Sequence, residues 1–289
     1  MVQRITIQLS QFSADGSSIL LQSEQMHYLT RVLRLKEGNR FIAQDGYGNQ
    51  WLAALDQTSY DQRSYDQRPS NQPSYLNQTQ ARVLEKLPLA PAVTSDMRLI
   101  AALPKGNGFD NVVRQTTELG VTHIHPVITA RTLLKPSSNK RARWKRIAQE
   151  ASEQSERVTV PEIAEPAAFE DCLEGLKLTH EEEMRSLRFI CAARANNTSE
   201  HVQSANAKSS NNNLLLSHLL TAHQNISPSA QLPSVTIAIG PEGGWTTDEI
   251  TVASSYGYEV VSLGSVILRA VTAPITALSL VVGARDLLI

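Results

Sequence analysis

The sequence predicts a two-domain protein, in which a small β-rich N-terminal domain precedes a larger α/β domain with a parallel sheet. Near the N-terminus, apolar and polar residues alternate with a period of two, which is typical of half-buried strands. From Met97 onward, short apolar runs alternate with amphipathic stretches, a pattern that favours a parallel sheet covered by helices. A chain of 289 residues is long enough to form two hydrophobic cores.

The N-terminal domain is predicted to span residues 1–90. Alternation over residues 5–9 indicates a first strand, and apolar residues at helical spacing indicate a short helix over residues 27–35. Apolar runs on either side of an Asp-Gly turn predict a hairpin over residues 41–55. Residues 81–87 are predicted to return to the same sheet as a further strand.

Two polar segments interrupt the predicted elements. The segment 56–80 contains SYDQR twice and almost no aliphatic side chains, so we expect a disordered insertion. The Asn- and Ser-rich segment 196–231 is predicted to be a second, flexible insertion. Between the domains, Pro88–Ser95 has the composition of a linker, and the larger domain is predicted to span residues 96–289.

The larger domain is predicted to alternate strands with helices. The apolar runs predict strands at residues 97–104, 121–129, 187–193, 235–239 and 259–263, and the amphipathic stretches predict helices at residues 109–119, 143–154 and 273–288. Thr246 or Thr247 can cap a further helix. The last helix is so apolar that it must be buried against the sheet or against a second subunit.

Composition excludes several classes of protein. With 27 basic and 28 acidic side chains the net charge is -1, which excludes a globally cationic protein but not a local basic patch. Cys172 and Cys191 are too few for a disulfide framework or a Cys-rich zinc site, which favours a reducing compartment, and no metal is expected. Because no apolar run is long enough to span a bilayer, a cytoplasmic protein without membrane contact is expected.

A glycine-rich turn, IGPEGG at residues 239–244, follows a predicted buried strand. Such a turn lets a ligand approach the backbone, and open α/β sheets bind ligands at that edge, although a plain tight turn is the alternative. It matches neither the dinucleotide-binding nor the P-loop pattern. Two similar turns follow other strands, LPKG at 103–106 and SLGSVILRA at 262–270.

These motifs occur in an order that resembles one known family. LPKG, TELGV, EASEQSERVTVPEI, IGPEGGW and SLGSVILRAVTA, together with HYLTRVLRLKEGNRF near the N-terminus, closely resemble the ribosomal RNA small subunit methyltransferase E family. The resemblance covers nearly the whole chain except the two polar insertions. It implies an S-adenosylmethionine-dependent methyltransferase acting on N3 of a uridine in small-subunit ribosomal RNA. It also implies a SPOUT domain with a C-terminal trefoil knot, a PUA-like N-terminal β-barrel and a homodimer.

The resemblance implies a set of site residues, which are the positions of this sequence that match the family's motifs. The residues implied to bind the cofactor are Thr129, Ile239, Gly240, Glu242, Gly243, Gly244, Ser262, Leu263, Gly264, Ile267, Leu268, Thr272 and Ala273. Those implied in catalysis are Arg269, which would stabilise the developing uridine anion, and Glu150 and Gln154, which would orient the base. For Arg269, a helix-capping role is the alternative, and for the row Glu150, Gln154 and Arg157 the alternative is a solvated helix face.

Basic residues predict where RNA binds. Residues 131–158 contain eight basic and three acidic side chains. The residues expected to contact the RNA or the assembled small subunit are Arg31, Arg34, Lys36, Lys105, Arg141, Lys145, Arg146 and Arg157. An ordinary solvated helix face would explain the same charges.

One departure from the family pattern keeps other functions open. The family commonly has an acidic residue two positions after the arginine of the last motif, and this chain has Val271 there. The alternatives are therefore a non-catalytic RNA-binding or ribosome-assembly protein of the same fold and a small-molecule α/β enzyme.

Overall fold

A computed structural model describes residues 2–56, 80–89, 95–132, 138–192, 214–224 and 232–287. The chain divides into two compact units, one formed by residues 1–92 and 156–159, the other by residues 93–155 and 160–289. The division after residue 92 falls within the predicted linker Pro88–Ser95. Nearly all of the first predicted insertion lies outside the described residues.

The smaller unit is built on a five-stranded sheet. Its strands are β1 (Arg4–Thr6), β2 (Ser18–Leu20), β3 (Arg40–Gln44), β4 (Gln50–Leu55) and β5 (Gln80–Lys86). They pair in the order β1-β3-β4-β5-β2, with β1 parallel to β3 and the other pairs antiparallel. The predicted hairpin and returning strand are confirmed. Alternate residues such as Phe41, Ala43 and Ala53 face a core that also includes Ile19 and Leu29.

A helix is present near the predicted residues 27–35, but it begins and ends at other residues. Helix α1 spans Ser23–His27 and continues as a π-helical turn over Tyr28–Val32. It begins earlier than predicted because Gln22 and Gln25 form a capping box, in which Gln22 N donates to Gln25 Oε1 at 2.8 Å. A side-chain amide cap lacks the Ser, Thr, Asp or Asn signature by which a helix start is normally read from sequence.

Residues 156–159 belong to the smaller unit although they follow a helix of the larger one. Glu156 forms an ion pair with Arg4 at 3.1 Å. The Arg157 carbonyl accepts a hydrogen bond from Gln44 Nε2 at 3.0 Å, and Thr159 makes an antiparallel bridge with Tyr47. Residue spacing along the chain gives no sign of this membership, because it depends on contacts between segments that are distant in the sequence.

A parallel sheet organises the larger unit, as predicted. Its strands are β6 (Met97–Ala102), β7 (His123–Ile128), β8 (Glu162–Ile163), β9 (Ala167–Ala168), β10 (Ser186–Cys191), β11 (Ser234–Ile239) and β12 (Glu259–Val261). The order is β12-β10-β11-β6-β7-β8, with β9 also paired to β7, and every pair is parallel. The carboxyl ends of β10, β11 and β12 therefore meet at one edge of the sheet.

Helices cover both faces of this sheet. They are α2 (Gly108–Glu118), α3 (Ser138–Gln154), α4 (Phe169–Gly175), α5 (His180–Met184), α6 (Leu215–Gln224), α7 (Thr247–Ser255) and α8 (Thr272–Asp286). Alternate strand residues enter two separate cores: Leu99 and Ile237 pack with residues of α2, α3, α6 and α8, whereas Ile100 and Ala238 pack with residues of α4 and α7. Within the described residues, no helix has the length and apolar character required to cross a membrane.

Helix α6 corrects the prediction that residues 196–231 are flexible throughout. Leu215 and Leu219 are fully buried in the core of the larger unit, and Leu215 N donates to Ser262 O at 3.0 Å. The prediction is wrong for residues 214–224 because five leucines within this stretch supply enough apolar surface to order one short helix. The rest of the predicted insertion lies outside the described residues.

The start of helix α2 is a close packing point between two motifs. A Cβ atom built on Gly108 would lie 2.9 Å from Val271 Cγ2 and 3.2 Å from Pro104 Cγ. The LPKG segment and the segment that follows Arg269 therefore meet at a residue where only a hydrogen atom fits. In contrast, a Cβ on Gly283 in α8 would have no atom within 4 Å.

This contrast gives a matched pair of glycine substitutions. We expect Gly108→Ala to lower the free energy of unfolding by about 1–3 kcal/mol, because the methyl group overpacks the contact with Val271 and Pro104. We expect Gly283→Ala to raise it by about 0.5–1 kcal/mol, because alanine is the better helix former and has room. Denaturant unfolding of both variants measures the difference, and equal stabilities would contradict the close packing at Gly108.

Candidate functional site

A cavity of about 950 Å³ lies in the larger unit at the carboxyl ends of β10, β11 and β12. Two segments form most of its wall, residues 239–245 after β11 and residues 262–271 after β12. Loops after neighbouring parallel strands converge at this edge, which is where open α/β sheets bind ligands. The remaining lining residues come from the ends of other elements; they are Arg131, Cys191, Ala192, Thr247, Ile250 and Ala273.

Trp245 shapes the first segment. Its indole Nε1 donates to the Cys191 carbonyl at 3.1 Å, and its ring lies 4.5 Å from that of Phe169. A Cβ on Gly240 would lie 3.1 Å from the Trp245 ring, so the backbone at Gly240 runs directly against the indole. Any larger residue at this position would push the indole aside by a few tenths of an ångström.

Two further contacts hold the glycine-rich segment from outside. Glu242 Oε1 accepts a hydrogen bond from the Lys105 backbone N–H at 2.9 Å, which ties the segment to the LPKG turn. Arg131 Nη1 donates to the Gly243 carbonyl at 2.6 Å and to the Trp245 carbonyl at 3.3 Å. The Arg131 side chain also packs on Gly243, where a Cβ would lie 3.1 Å from Arg131 Cδ.

A buried carboxylate fixes the start of the helix that follows. Glu249 is 7% exposed, and its side chain accepts from Thr246 N at 2.8 Å and Thr246 Oγ1 at 3.1 Å. This is a capping box, which confirms the predicted helix and shows that Thr246, of the two threonines expected, is its cap. The other oxygen of Glu249 accepts from Ala130 N at 2.8 Å, so the same carboxylate also holds the loop after β7.

The second segment leaves its backbone accessible to the cavity. Gly264 has φ of 132°, a conformation that favours glycine, and a Cβ there would have no atom within 4 Å. Ser262 Oγ accepts from Gly264 N at 3.2 Å and fixes the turn. The side chains of Leu263, Ile267 and Leu268 add an apolar wall.

Among the described residues, three charged side chains line the cavity, and they are Arg131, Glu242 and Arg269. The guanidinium of Arg269 has no hydrogen bond or ion pair in the described part of the chain, while its carbonyl accepts from Thr272 N and Ala273 N, both at 2.9 Å. The side chain therefore does not serve as the cap that was the alternative interpretation. Burial raises the pKa of the Cys191 thiol to about 12, so this residue stays protonated at neutral pH.

The structure brings together all but two of the residues expected to bind a cofactor. Thr129 is buried in a tight turn, where its N–H and its Oγ1 both bond to Thr132 Oγ1, and it does not line the cavity. Thr272 is exposed at the start of α8 and also lies outside the lining. Arg131, two residues after Thr129, occupies the place that the motif position suggested for Thr129.

Of the three residues expected to act in catalysis, only Arg269 lines the cavity. Glu150 and Gln154 are exposed on α3, and Glu150 Oε1 lies 3.6 Å from Arg146 Nε. Arg131, Cys191 and Ile250 line the cavity but belong to none of the motif positions expected to bind the cofactor. For Cys191 a signal existed, since it ends the strand that pairs with β11, and parallel strands end at the same edge.

Several of the predicted RNA-binding cations are already engaged within the protein. Arg141 forms an ion pair with Glu165 and donates to Ile163 O, and Arg146 lies near Glu150. Burial lowers the pKa of Arg157 to about 10. The remaining members of the set are exposed, and they are Arg31, Arg34, Lys36, Lys105 and Lys145.

Comparison with known proteins identifies both units. Residues 92–282 match a family model described as an RNA methyltransferase domain, and residues 21–57 match one described as an RNA methyltransferase PUA domain. A ribosomal RNA small subunit methyltransferase E of Synechocystis sp. is 39% identical over 91% of this chain and 72% of its own length. The protein of the same name from Bacillus subtilis is 26% identical over 99% of this chain and 98% of its own.

Solved structures share the fold. The ribosomal RNA small subunit methyltransferase E of Neisseria gonorrhoeae, bound to S-adenosyl methionine, superposes with a TM-score of 0.70 at 23% identity, covering 96% of each chain. A methyltransferase from Legionella pneumophila, in complex with the cofactor SAM, gives a TM-score of 0.70 at 24% identity over 98% of each chain. Since a family model covers most of the sequence and a 39% identical relative matches it nearly end to end, the chain belongs to the ribosomal RNA small subunit methyltransferase E family.

Proposed function

We propose that this chain transfers the methyl group of S-adenosylmethionine to N3 of a uridine in small-subunit ribosomal RNA. The observation that carries the proposal is the cavity at the carboxyl ends of β10, β11 and β12, whose wall is made by the two motif segments that follow β11 and β12. Membership of the family and the bound S-adenosyl methionine in the Neisseria gonorrhoeae relative support the same donor.

The residues of the cavity fit S-adenosylmethionine. A volume of about 950 Å³ is at the upper end of ordinary small-molecule sites. The wall combines the apolar side chains of Leu263, Ile267 and Leu268 with backbone groups that can pair with an adenine edge. At Gly264 nothing lies within 4 Å of the missing Cβ, so a ligand can approach the backbone closely.

In the proposed mechanism, the chain positions the reactants and stabilises charge. When bound, the donor supplies a methyl group that is carried on a positively charged sulfur. After the transfer, the rest of the donor leaves as a neutral thioether, so the reaction needs no metal. The uridine must lose its N3 proton to solvent water before N3 can attack the methyl group, and a cation beside the ring favours the anion that remains. Arg269 is the residue that supplies this charge, because it lines the cavity and its guanidinium has no partner among the described residues.

The other two proposed catalytic residues would act from α3. Glu150 and Gln154 are one helical turn apart on an exposed surface, so they would orient the target base only after the RNA is bound. Val271, which replaces the acidic residue common in the family, contacts the start of α2 and provides no carboxylate.

Three further features are proposed from the resemblance alone. These are the trefoil knot at the C-terminal end of the larger unit, a homodimer, and a cytoplasmic location. The exposed side chains of Val266 and Ile267, 68% and 64% accessible in the single chain, are apolar surface that a donor molecule or a second subunit would cover.

Donor binding followed by methyl transfer tests the proposed function directly. We expect calorimetry to show binding of S-adenosylmethionine, and we expect labelled methyl to appear at N3 of one uridine when small-subunit particles or naked small-subunit RNA are added. A non-catalytic assembly protein would bind the donor weakly or not at all. A small-molecule enzyme would bind the donor and leave both RNA substrates unmodified.

Arg269→Ala tests the role of the positive charge. We expect kcat to fall by about a hundredfold with little change in donor affinity, because the variant removes charge stabilisation of the uridine anion and leaves the cavity wall in place. Single-turnover transfer and donor calorimetry measure the two quantities separately. Unchanged turnover with normal donor binding would remove Arg269 from the mechanism.

Glu249→Ala tests whether the buried carboxylate holds the cavity together. We expect the free energy of unfolding to fall by about 2 kcal/mol, because Thr246 N and Ala130 N lose their acceptor, and the donor Kd to rise about tenfold. Asp248→Ala is the matched control, since Asp248 lies in the same helical turn but is exposed. Equal effects of the two substitutions would show that Glu249 acts only through the helix dipole.

A further inference from the structure

Two non-glycine residues of the described chain have a backbone in the left-handed region, and both lie in the smaller unit. They are Arg34, with φ of 56°, and Glu156, with φ of 58°. A side chain with a Cβ atom is strained in this region, so each position would be more stable as glycine unless the side chain gives something in return.

The backbone at Arg34 is forced into this conformation by its neighbours. Leu33 N donates to Tyr28 O and Leu35 N donates to Leu29 O, both at 2.9 Å, and these bonds close the π-helical turn. Leu33 and Leu35 are both half-buried against the core that contains Leu29. For both leucines to reach that core, the chain must reverse at the residue between them, which is the position where helices normally carry glycine.

The backbone strain at Glu156 is offset by a side-chain contact within the protein, whereas the strain at Arg34 is not. Glu156 Oε2 lies 3.1 Å from Arg4 Nη2, so its side chain forms an ion pair inside the smaller unit. The Arg34 side chain is exposed and has no hydrogen bond or ion pair among the described residues. What arginine offers there, and glycine would not, is an exposed guanidinium group with no partner among the described residues.

The surroundings of Arg34 in the chain are cationic. Arg31, Lys36 and Arg40 are also exposed and, within the described structure, also lack ion pairs. Glu37 is the single acidic residue between positions 31 and 40. A partner for this surface must therefore be an anion, and one with several charges.

We propose that Arg34 binds an RNA phosphodiester group and anchors the surface formed by Arg31, Arg34, Lys36 and Arg40, and that this contact is what the arginine gives in return for its strained backbone. A guanidinium can give two parallel N–H bonds to one phosphate group, which a glycine at this position could not do. The proposal deepens the proposed function and rests on it for the identity of the polyanion as RNA.

Arg34→Gly separates binding from stability, because it removes the guanidinium and relieves the strain in the same step. We expect the thermal midpoint to stay the same or to rise. We expect the Kd for a small-subunit ribosomal RNA transcript to rise about three- to tenfold at about 0.1 M salt. Between about 50 and about 200 mM salt, the slope of log K against log salt should become shallower by about one, as for the loss of one phosphate contact. Arg34→Lys should restore that slope.

Two variants serve as controls. Glu156→Gly relieves the same kind of strain but should not weaken RNA binding. Arg185→Ala removes the same charge from an exposed position of the larger unit that is outside the proposed RNA-binding set, and should leave the salt slope unchanged. An unchanged Kd for Arg34→Gly would overturn the proposal, and so would a weaker Kd with an unchanged salt slope, since the contact would then not be with phosphate.

Methyl transfer distinguishes this proposal from the proposed function. We expect Arg34→Gly to raise the KM for RNA and to keep both the kcat at saturating RNA and the donor Kd. If the unaltered chain methylates uridine N3 and Arg34→Gly binds the transcript as tightly, the proposed function stands and the inference about Arg34 fails. If the unaltered chain methylates nothing while the binding differences appear, the phosphate site stands and the proposed function fails.

Discussion

The buried carboxylate of Glu249 is the interaction on which the candidate site depends. Loops that leave the carboxyl ends of parallel strands have no ladder of backbone hydrogen bonds to hold them, so side chains must fix their positions. Glu249 accepts hydrogen bonds from Thr246 at the start of α7 and from Ala130 after β7, and it thereby joins two loops through one side chain. Arg131, the next residue after Ala130, then holds the carbonyls of Gly243 and Trp245. The cavity is therefore formed by tied loops and does not depend on the sheet alone.

Much of this arrangement could be predicted from the sequence, because its parts are local. The parallel sheet follows from the alternation of apolar runs and amphipathic helices, and the cap at Thr246 follows from a glutamate three residues later. The role of Arg131 could not be predicted, since its acceptors lie more than one hundred residues away in the chain. Thr129 was misplaced for a related reason: a motif gives the position in the chain but not the direction of a side chain inside a tight turn. Helix α6 was missed because its few apolar residues are outnumbered by the polar residues around them.

A count of basic residues in the sequence also does not show which of them are paired within the protein. A count over residues 131–158 indicates a basic patch, yet Arg141 lies beside Glu165 and Arg143 Nε bonds to Asp110 at 2.8 Å. Those arginines hold helices and loops in place, and their charge is partly neutralised where it stands. Arg34 lies outside that stretch and carries the same single charge, but its backbone is strained and its side chain has no partner among the described residues. The structural context of a cation, and not its presence in a cluster, indicates whether it is available to an external anion.

Within the described lining of the cavity, one charged group is available for chemistry. Of the three charged residues among the described lining, Arg131 is bonded to two backbone carbonyls and Glu242 to the Lys105 N–H. Arg269 remains, with its own carbonyl holding the start of α8 and its guanidinium without a partner in the described structure. The hydrogen bonds at its carbonyl fix the backbone of Arg269, and its guanidinium can meet a substrate without first breaking a bond to the described part of the protein. A cation so placed lowers the pKa of a neighbouring uridine imide, so the proposed chemistry can proceed with the positive charge supplied by the protein and without the acidic residue that Val271 replaces.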